Sequence, residues 1–241
     1  MAADGRRHIL AIGGIGSPPD QDQRLPALIG HALTLSGAPA PRVCVLNTAA
    51  GDDPIGYVRM YARLSEYGAR PSHLQLFTMP NVRDPADLLL SQDAIFVGGG
   101  SVANMVAVWR VHGLDVIMRQ AWEAGIVLAG VSAGAICWFL GGTTDSFGKD
   151  LKPFTDGLGF LEGSYCPHYS SEPARRPTYQ ALIADGTLPP GIACDDGAGA
   201  HFADAEFEAI VAARPDAAGY RVEPDGRGGV SEVALPCRPV T

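Results

Sequence analysis

Short apolar runs alternate with longer segments whose apolar residues recur every three or four positions, and this alternation fills the first half of the chain. That is the pattern of a parallel sheet with crossover helices. Residues 8–12 (HILAI) read as a strand, followed by a Gly/Pro loop and a helix from about residue 22 to 35, closed by Gly37. A second strand at 42–47 leads into a helix over 53–67 that ends at Gly68. Third and fourth strands are expected at 73–77 and 94–97, the latter running into Gly98-Gly99-Gly100. A long helical stretch over 102–124, with Gly113 as a candidate break, feeds a fifth strand at 126–129. After residue 150 glycines and prolines come every few positions. Shorter apolar runs at 191–194, 207–212 and 230–235 predict strands or hairpins completing or flanking the sheet, and 173–184 can hold one more helix. The fold class is therefore α/β, a doubly wound, mostly parallel sheet.

Composition adds limits. A chain of 241 residues, 46% apolar, can bury one sizeable core, so a single domain over 1–241 is expected. The net charge of −8, with no basic block to offset it, argues against nucleic acid or an anionic membrane as partner and favours a small molecule or short peptide. The five cysteines are scattered, without CxxC pairs or ligand spacing, which points to reduced thiols in a cytoplasm and not to disulfides or zinc. The polar start, Met1 to Arg7, carries no pattern of a signal peptide.

The candidate chemistry centres on Gly130-Val131-Ser132-Ala133-Gly134, at the end of the fifth strand and before helix-compatible residues. In open α/β sheets ligands bind beyond the carboxyl ends of strands. A serine on a sharp turn there needs small neighbours so that its hydroxyl projects, and the following N–H, of Ala133, then points where an oxyanion would form. The competing reading is a small residue in an ordinary strand-to-helix connection.

A nucleophilic serine needs a base, and the base an orienting acid. Of the six histidines, His8, His31, His73 and His112 sit in predicted strands or helices and read as structural. His168, just after Pro167 at the end of a strand-like run, is the candidate base, with His201 as competitor. For the acid, Asp145 follows the serine's helix, although an N-cap or turn role suits it as well; Glu162 and Glu172 flank His168 and remain alternatives. The triple glycine at 98–100 lets backbone approach a bound carbonyl and offers the second half of an oxyanion hole. Gly13-Gly14-Ile15-Gly16 superficially suggests a phosphate loop but matches neither nucleotide motif, and Pro18-Pro19 stand where a helix N-terminus is needed.

Taken together, the glycine loop at 98–100, the elbow Gly130-Val-Ser132-Ala-Gly-Ala135 and Cys166-Pro-His168-Tyr169 resemble the peptidase E (α-aspartyl dipeptidase) serine peptidases, a family related to cyanophycinase. The resemblance implies a class I glutamine amidotransferase-like, flavodoxin-like three-layer sandwich with a nucleophile elbow. It also implies Ser132 as nucleophile, His168 as base, Asp145 as the acid, and an oxyanion hole from Gly99 or Gly100 with Ala133. Arg175, with Arg176 beside it, is the match for an arginine that binds a substrate's aspartate side chain, and a guanidinium suits a carboxylate. No cofactor or metal is expected, and a monomer or homodimer is. The function implied is hydrolysis of dipeptides or short peptides, including those with an N-terminal Asp. A cyanophycinase-like β-aspartyl peptidase or an esterase on the same triad is the alternative, and from another class a non-catalytic flavodoxin-like ligand-binding domain.

Overall fold

The structure is a computed structural model that describes residues 2, 4–15 and 21–240, with residues 21–26 described in backbone only. Gly16, Pro18 and Pro19 of the first loop lie outside the described residues.

The elements run β1 (His8–Ile12), α1 (Gln21–Leu35), β2 (Arg42–Leu46), α2 (Pro54–Glu66), β3 (Arg70–Leu74), α3 (Pro85–Leu90) and β4 (Ala94–Val97). They continue as α4 (Val102–Val111), α5 (Leu114–Glu123), β5 (Val127–Val131), α6 (Ala133–Ile136), β6 (Gly141–Thr144), β7 (Lys152–Phe154) and β8 (Ser164–Cys166). Last come α7 (Arg175–Ala184), β9 (Gly191–Cys194), β10 (Ala198–Ala203), β11 (Glu206–Ala212), β12 (Gly219–Pro224), β13 (Val230–Ala234) and β14 (Cys237–Pro239).

Eight strands form one sheet in the order β14-β11-β10-β1-β5-β4-β2-β3, whose stretch from β1 to β3 is parallel throughout. These strands are apolar at consecutive positions because both faces are covered. In β1, Ile9 and Ala11 enter the core on one face while Leu10 and Ile12 enter the core beneath α1 and α2 on the other. In β4, Ile95 and Val97 part from Ala94 and Phe96 in the same way. The architecture is the doubly wound, flavodoxin-like one expected.

Three local features have physical reasons. The third strand lies three residues earlier than expected, at 70–74, because the Leu76 and Phe77 amides donate to the buried carboxylate of Asp52 and not to a neighbouring strand. Pro71 is tolerated there because β3 is an edge strand. The long helical stretch is two helices, parted at Gly113, which adopts φ +69°. A short helix, α3, opens at Pro85 behind the Asp84 cap, whose carboxylate accepts from Ala86 and Asp87.

The second half divides between two sheets. β10, β11 and β14 extend the first, while the remainder build a mixed sheet in the order β13-β12-β9-β8-β6-β7. One core lies between the two sheets, uniting Ile9, Leu128 and Trp109 with Phe154, Tyr165 and Ile192. The bulky residues after the elbow fill it: Trp138 packs against Trp109 and Phe160, and Phe139 stacks on Tyr165 at 5.0 Å. On the outer face of the second sheet, Tyr179 and Ile183 of α7 pack with Tyr169, Ala193 and Val222.

Candidate active site

Three strand ends converge on one crevice. β5 ends at Ser132, which occupies φ +55° and ψ −113°, a conformation costly for a residue with a side chain and held here by an N–H bond to the Ile12 carbonyl at 3.0 Å. The flanking glycines are dictated by backbone crossing. A Cβ on Gly130 would lie 2.1 Å from the Gly134 carbonyl oxygen, and one on Gly134 would lie 2.4 Å from that of Val97. Ser132 is thus presented on a turn that only this glycine pattern allows.

The second sheet supplies the partners. β8 and β9 are parallel neighbours, so the residues that follow them emerge side by side. His168, two residues beyond β8 and at φ +54°, places Nε2 2.9 Å from Ser132 Oγ. Asp196, two residues beyond β9, places Oδ1 2.7 Å from His168 Nδ1. The result is an unbroken hydrogen-bonded series from Ser132 through His168 to Asp196. Burial pushes the Asp196 carboxyl up, but the hydrogen bond and charge of His168, the Ser171 hydroxyl and the field of Arg214 outweigh it and hold the group below the usual carboxylate range.

The carboxylate that meets His168 is thus that of Asp196 and not, as expected, that of Asp145. Asp145 stands in the turn after β6, is 62% exposed, and has its carboxylate 3.9 Å from the Arg175 guanidinium and not on His168. Glu162 is exposed, and Glu172 bonds Arg175. A sequence signal for Asp196 existed, an aspartate closing the apolar run 191–194 ahead of Gly197, but which strand lies beside the histidine's strand is decided only by sheet order. His201 lies in β10 instead, with its Nε2 3.0 Å from His8 Nδ1 and its ring edge-on to His31.

The loop after β1 has a role that neither nucleotide motif suggests. Gly13 accepts the His168 N–H at 3.3 Å, and a Cβ there would lie 2.5 Å from the carbonyl oxygens of Cys194 and Asp195. At Gly14 a Cβ would fall 2.4 Å from His168 Nδ1. These two glycines clear the space in which histidine and aspartate meet.

Because Val97 of β4 pairs with Gly130 of β5, the triple glycine runs alongside the elbow. A Cβ on Gly99 would lie 3.3 Å from Ser132 Cβ, and Gly100, at φ +135°, passes so close to Ala49 that a Cβ would be 2.2 Å from its carbonyl oxygen. Among the described residues, the amides of Gly99 and Gly100 donate to no backbone carbonyl. The amide of Ala133, at the first position of α6, has no partner within its own helix.

Both candidate cations are engaged. Arg175, 3% exposed, donates from Nε to Glu172 at 2.6 Å and from Nη1 to the Thr143 carbonyl at 2.8 Å. Arg176 is paired with Glu232 and lies against the rings of Tyr169 and Tyr220. Among the described residues no group of three His, Cys, Asp or Glu side chains is arranged to hold a metal ion, and no helix is long and apolar enough to cross a membrane.

Comparisons with known proteins place the chain in a family. A Bacillus subtilis (strain 168) protein named "Uncharacterized peptidase YgaJ" is 41% identical over 234 residues, 96% of this chain and 98% of its own. A Shewanella denitrificans protein named "Peptidase E" is 27% identical over 112 residues, 46% of this chain and 48% of its own. Among solved structures, that of a peptidase from an acI-B1 Actinobacterium superposes with a TM-score of 0.65 at 17% identity, covering 98% of this chain and 96% of the other, and shares the fold. The model of peptidase family S51 matches residues 10–210, which contain the elbow, the histidine and the aspartate alike, and the chain belongs to that family of peptidases.

Proposed function

We propose that this peptidase is of the serine type and hydrolyses dipeptides or short peptides with Ser132, His168 and Asp196. The observation that carries the reading is the pair of hydrogen bonds at His168, 2.9 Å to Ser132 Oγ and 2.7 Å to Asp196 Oδ1. Asp196, ionised and largely buried, accepts the Nδ1–H and so selects the tautomer whose Nε2 lone pair faces the serine hydroxyl. Ser132 Oγ attacks the scissile carbonyl as its proton passes to His168 Nε2, and the C–O bond forms while the carbonyl π electrons move onto oxygen. The amides of Ala133 and of Gly99 or Gly100 receive that oxyanion. His168 then gives the proton to the leaving amine as the C–N bond breaks. Water, deprotonated by the same nitrogen, attacks the acyl-serine and restores Ser132. The five cysteines are unpaired, in keeping with a cytoplasmic setting.

Purified protein incubated with a fluorophosphonate probe and, separately, with a panel of dipeptides tests the reading. The wild type is expected to be labelled at Ser132 and to release free amino acids, and Ser132→Ala and His168→Ala to do neither. Equal turnover by wild type and Ser132→Ala would overturn it.

A further inference from the structure

One charged cluster is tied by hydrogen bonds to segments that adjoin both the glycine loop and His168. On one side the Ala103 amide, in the first turn of α4 just after the triple glycine, donates to Ser146 Oγ at 3.5 Å, next to Asp145. On the other, the Glu172 amide donates to the His168 carbonyl at 3.1 Å. Between them lies Arg175, anchored to the Thr143 carbonyl at the end of β6, the parallel neighbour of the strand that carries His168.

The guanidinium is buried and already spoken for. Glu172 takes its Nε at 2.6 Å, and Asp145 stands 3.9 Å from Nη2. The two carboxylates are themselves 47% and 62% exposed, so what the cluster presents outward is acid, with two negative charges against one positive. Arg176, next in the chain, is held by Glu232. A substrate carboxylate arriving here would have to displace Glu172 from its buried partner and approach Asp145 at like charge, whereas a neutral or cationic side chain meets neither cost.

We propose that Glu172 and Asp145 are specificity-determining residues that turn this site away from peptides with an acidic side chain beside the scissile bond and toward neutral or basic ones. The inference rests on the serine-peptidase reading above. Rejection here is by an occupied cation and an added repulsion, not by lack of space, so it separates Asp from its uncharged isostere Asn.

The experiment compares kcat/KM of the intact protein for Asp-Leu, Asn-Leu, Ala-Leu and Lys-Leu, with Leu-Asp and Leu-Asn covering the other side of the bond. The wild type is expected to favour the Asn member of each pair over the Asp member by about tenfold or more at the position facing the cluster. Glu172→Gln, which removes the charge that neutralises Arg175, and Asp145→Asn, at an exposed carboxylate whose loss spares the fold, are each expected to shift that ratio toward Asp. The ratio is read within one preparation, so the fraction of folded enzyme cancels. Preference for Asp over Asn by the wild type, or a ratio unmoved in both variants, overturns the inference and leaves the peptidase reading intact. Failure of the wild type to cleave any peptide overturns that reading, and the inference with it.

Discussion

Gly14 and Asp196 approach so closely that a Cβ on the glycine would lie 1.8 Å from the carboxylate Oδ1 that meets His168. The two residues also form a parallel β-bridge, and the Gly197 amide donates to the Gly14 carbonyl at 2.8 Å. Loop one of the first sheet is thus the floor on which the second sheet's aspartate and histidine are set.

A methyl group at position 14 has nowhere to go except into the carboxylate or the imidazole. Gly14→Ala is expected to lower kcat by about 100-fold, because a displacement near 1 Å at a catalytic pair costs on that order. The main cores contain no side chain of this residue, so circular dichroism should remain that of the wild type. Wild-type kcat in the variant would show that the aspartate can shift without consequence.

Asp196 and Glu162 make a discriminating pair of substitutions. Asp196→Asn keeps the shape but presents an amide that no longer selects the productive tautomer, and kcat is expected to fall by about 10⁴-fold. Glu162→Gln, at an exposed residue, is expected to stay within about twofold of the wild type. Steady-state kinetics on one dipeptide measures both.

Acid should weaken the fold through the histidines behind β1. Burial, with the neighbouring His8 and His31, pushes His201 down to about 4, against a smaller opposing pull from Glu208, and Arg6 adds to the depression. Burial, His8 and Arg238 likewise lower His31, while Asp4 bonds His8 at 2.9 Å. The folded state keeps His201 and His31 neutral where the unfolded chain, with an ordinary value near 6.5, takes up protons. Stability is therefore complete above about pH 6.5 and declines as pH falls toward 4, by on the order of 2 kcal/mol from these groups. Urea unfolding from pH 7.5 to 4.5 should show the slope, and His201→Phe, which retains ring packing, should flatten it.

The thiols should divide sharply in reactivity. Burial raises Cys44, Cys166 and Cys194 to about 12 and Cys137 well above its ordinary value, while Cys237 is exposed on the edge strand β14. A disulfide reagent at pH 8 is expected to modify one thiol quickly in the native protein and all five only after unfolding. Rapid modification of more than one would contradict the packing of the cores on the two faces of the second sheet.

Much of the first sheet was legible in the sequence, because its strands and helices carry their own periodicity: 8–12, 94–97 and the elbow at Ser132 each stand where local pattern places them. His168 was legible too, since a Pro-His step at a strand end is a local event. Its acid was not. Asp145 is nearer to Ser132 in the chain and fits a turn as well as a site, and nothing local separates it from Asp196.

Local pattern along the chain specifies the strand ends and the glycines that let backbones cross at Gly130 and Gly134. Which of those ends meet is a matter of tertiary packing. β9 could lie beside β8 or elsewhere as far as its own apolar run is concerned, and its parallel pairing with β8 is what sets Asp196, not Asp145, against His168. The same holds for Arg175, whose charge is evident in the chain but whose two carboxylate neighbours come from a turn and from its own helix's approach. Periodicity reports how one element is buried. Strand order and packing between sheets, which join residues far apart in the chain, report what that element faces.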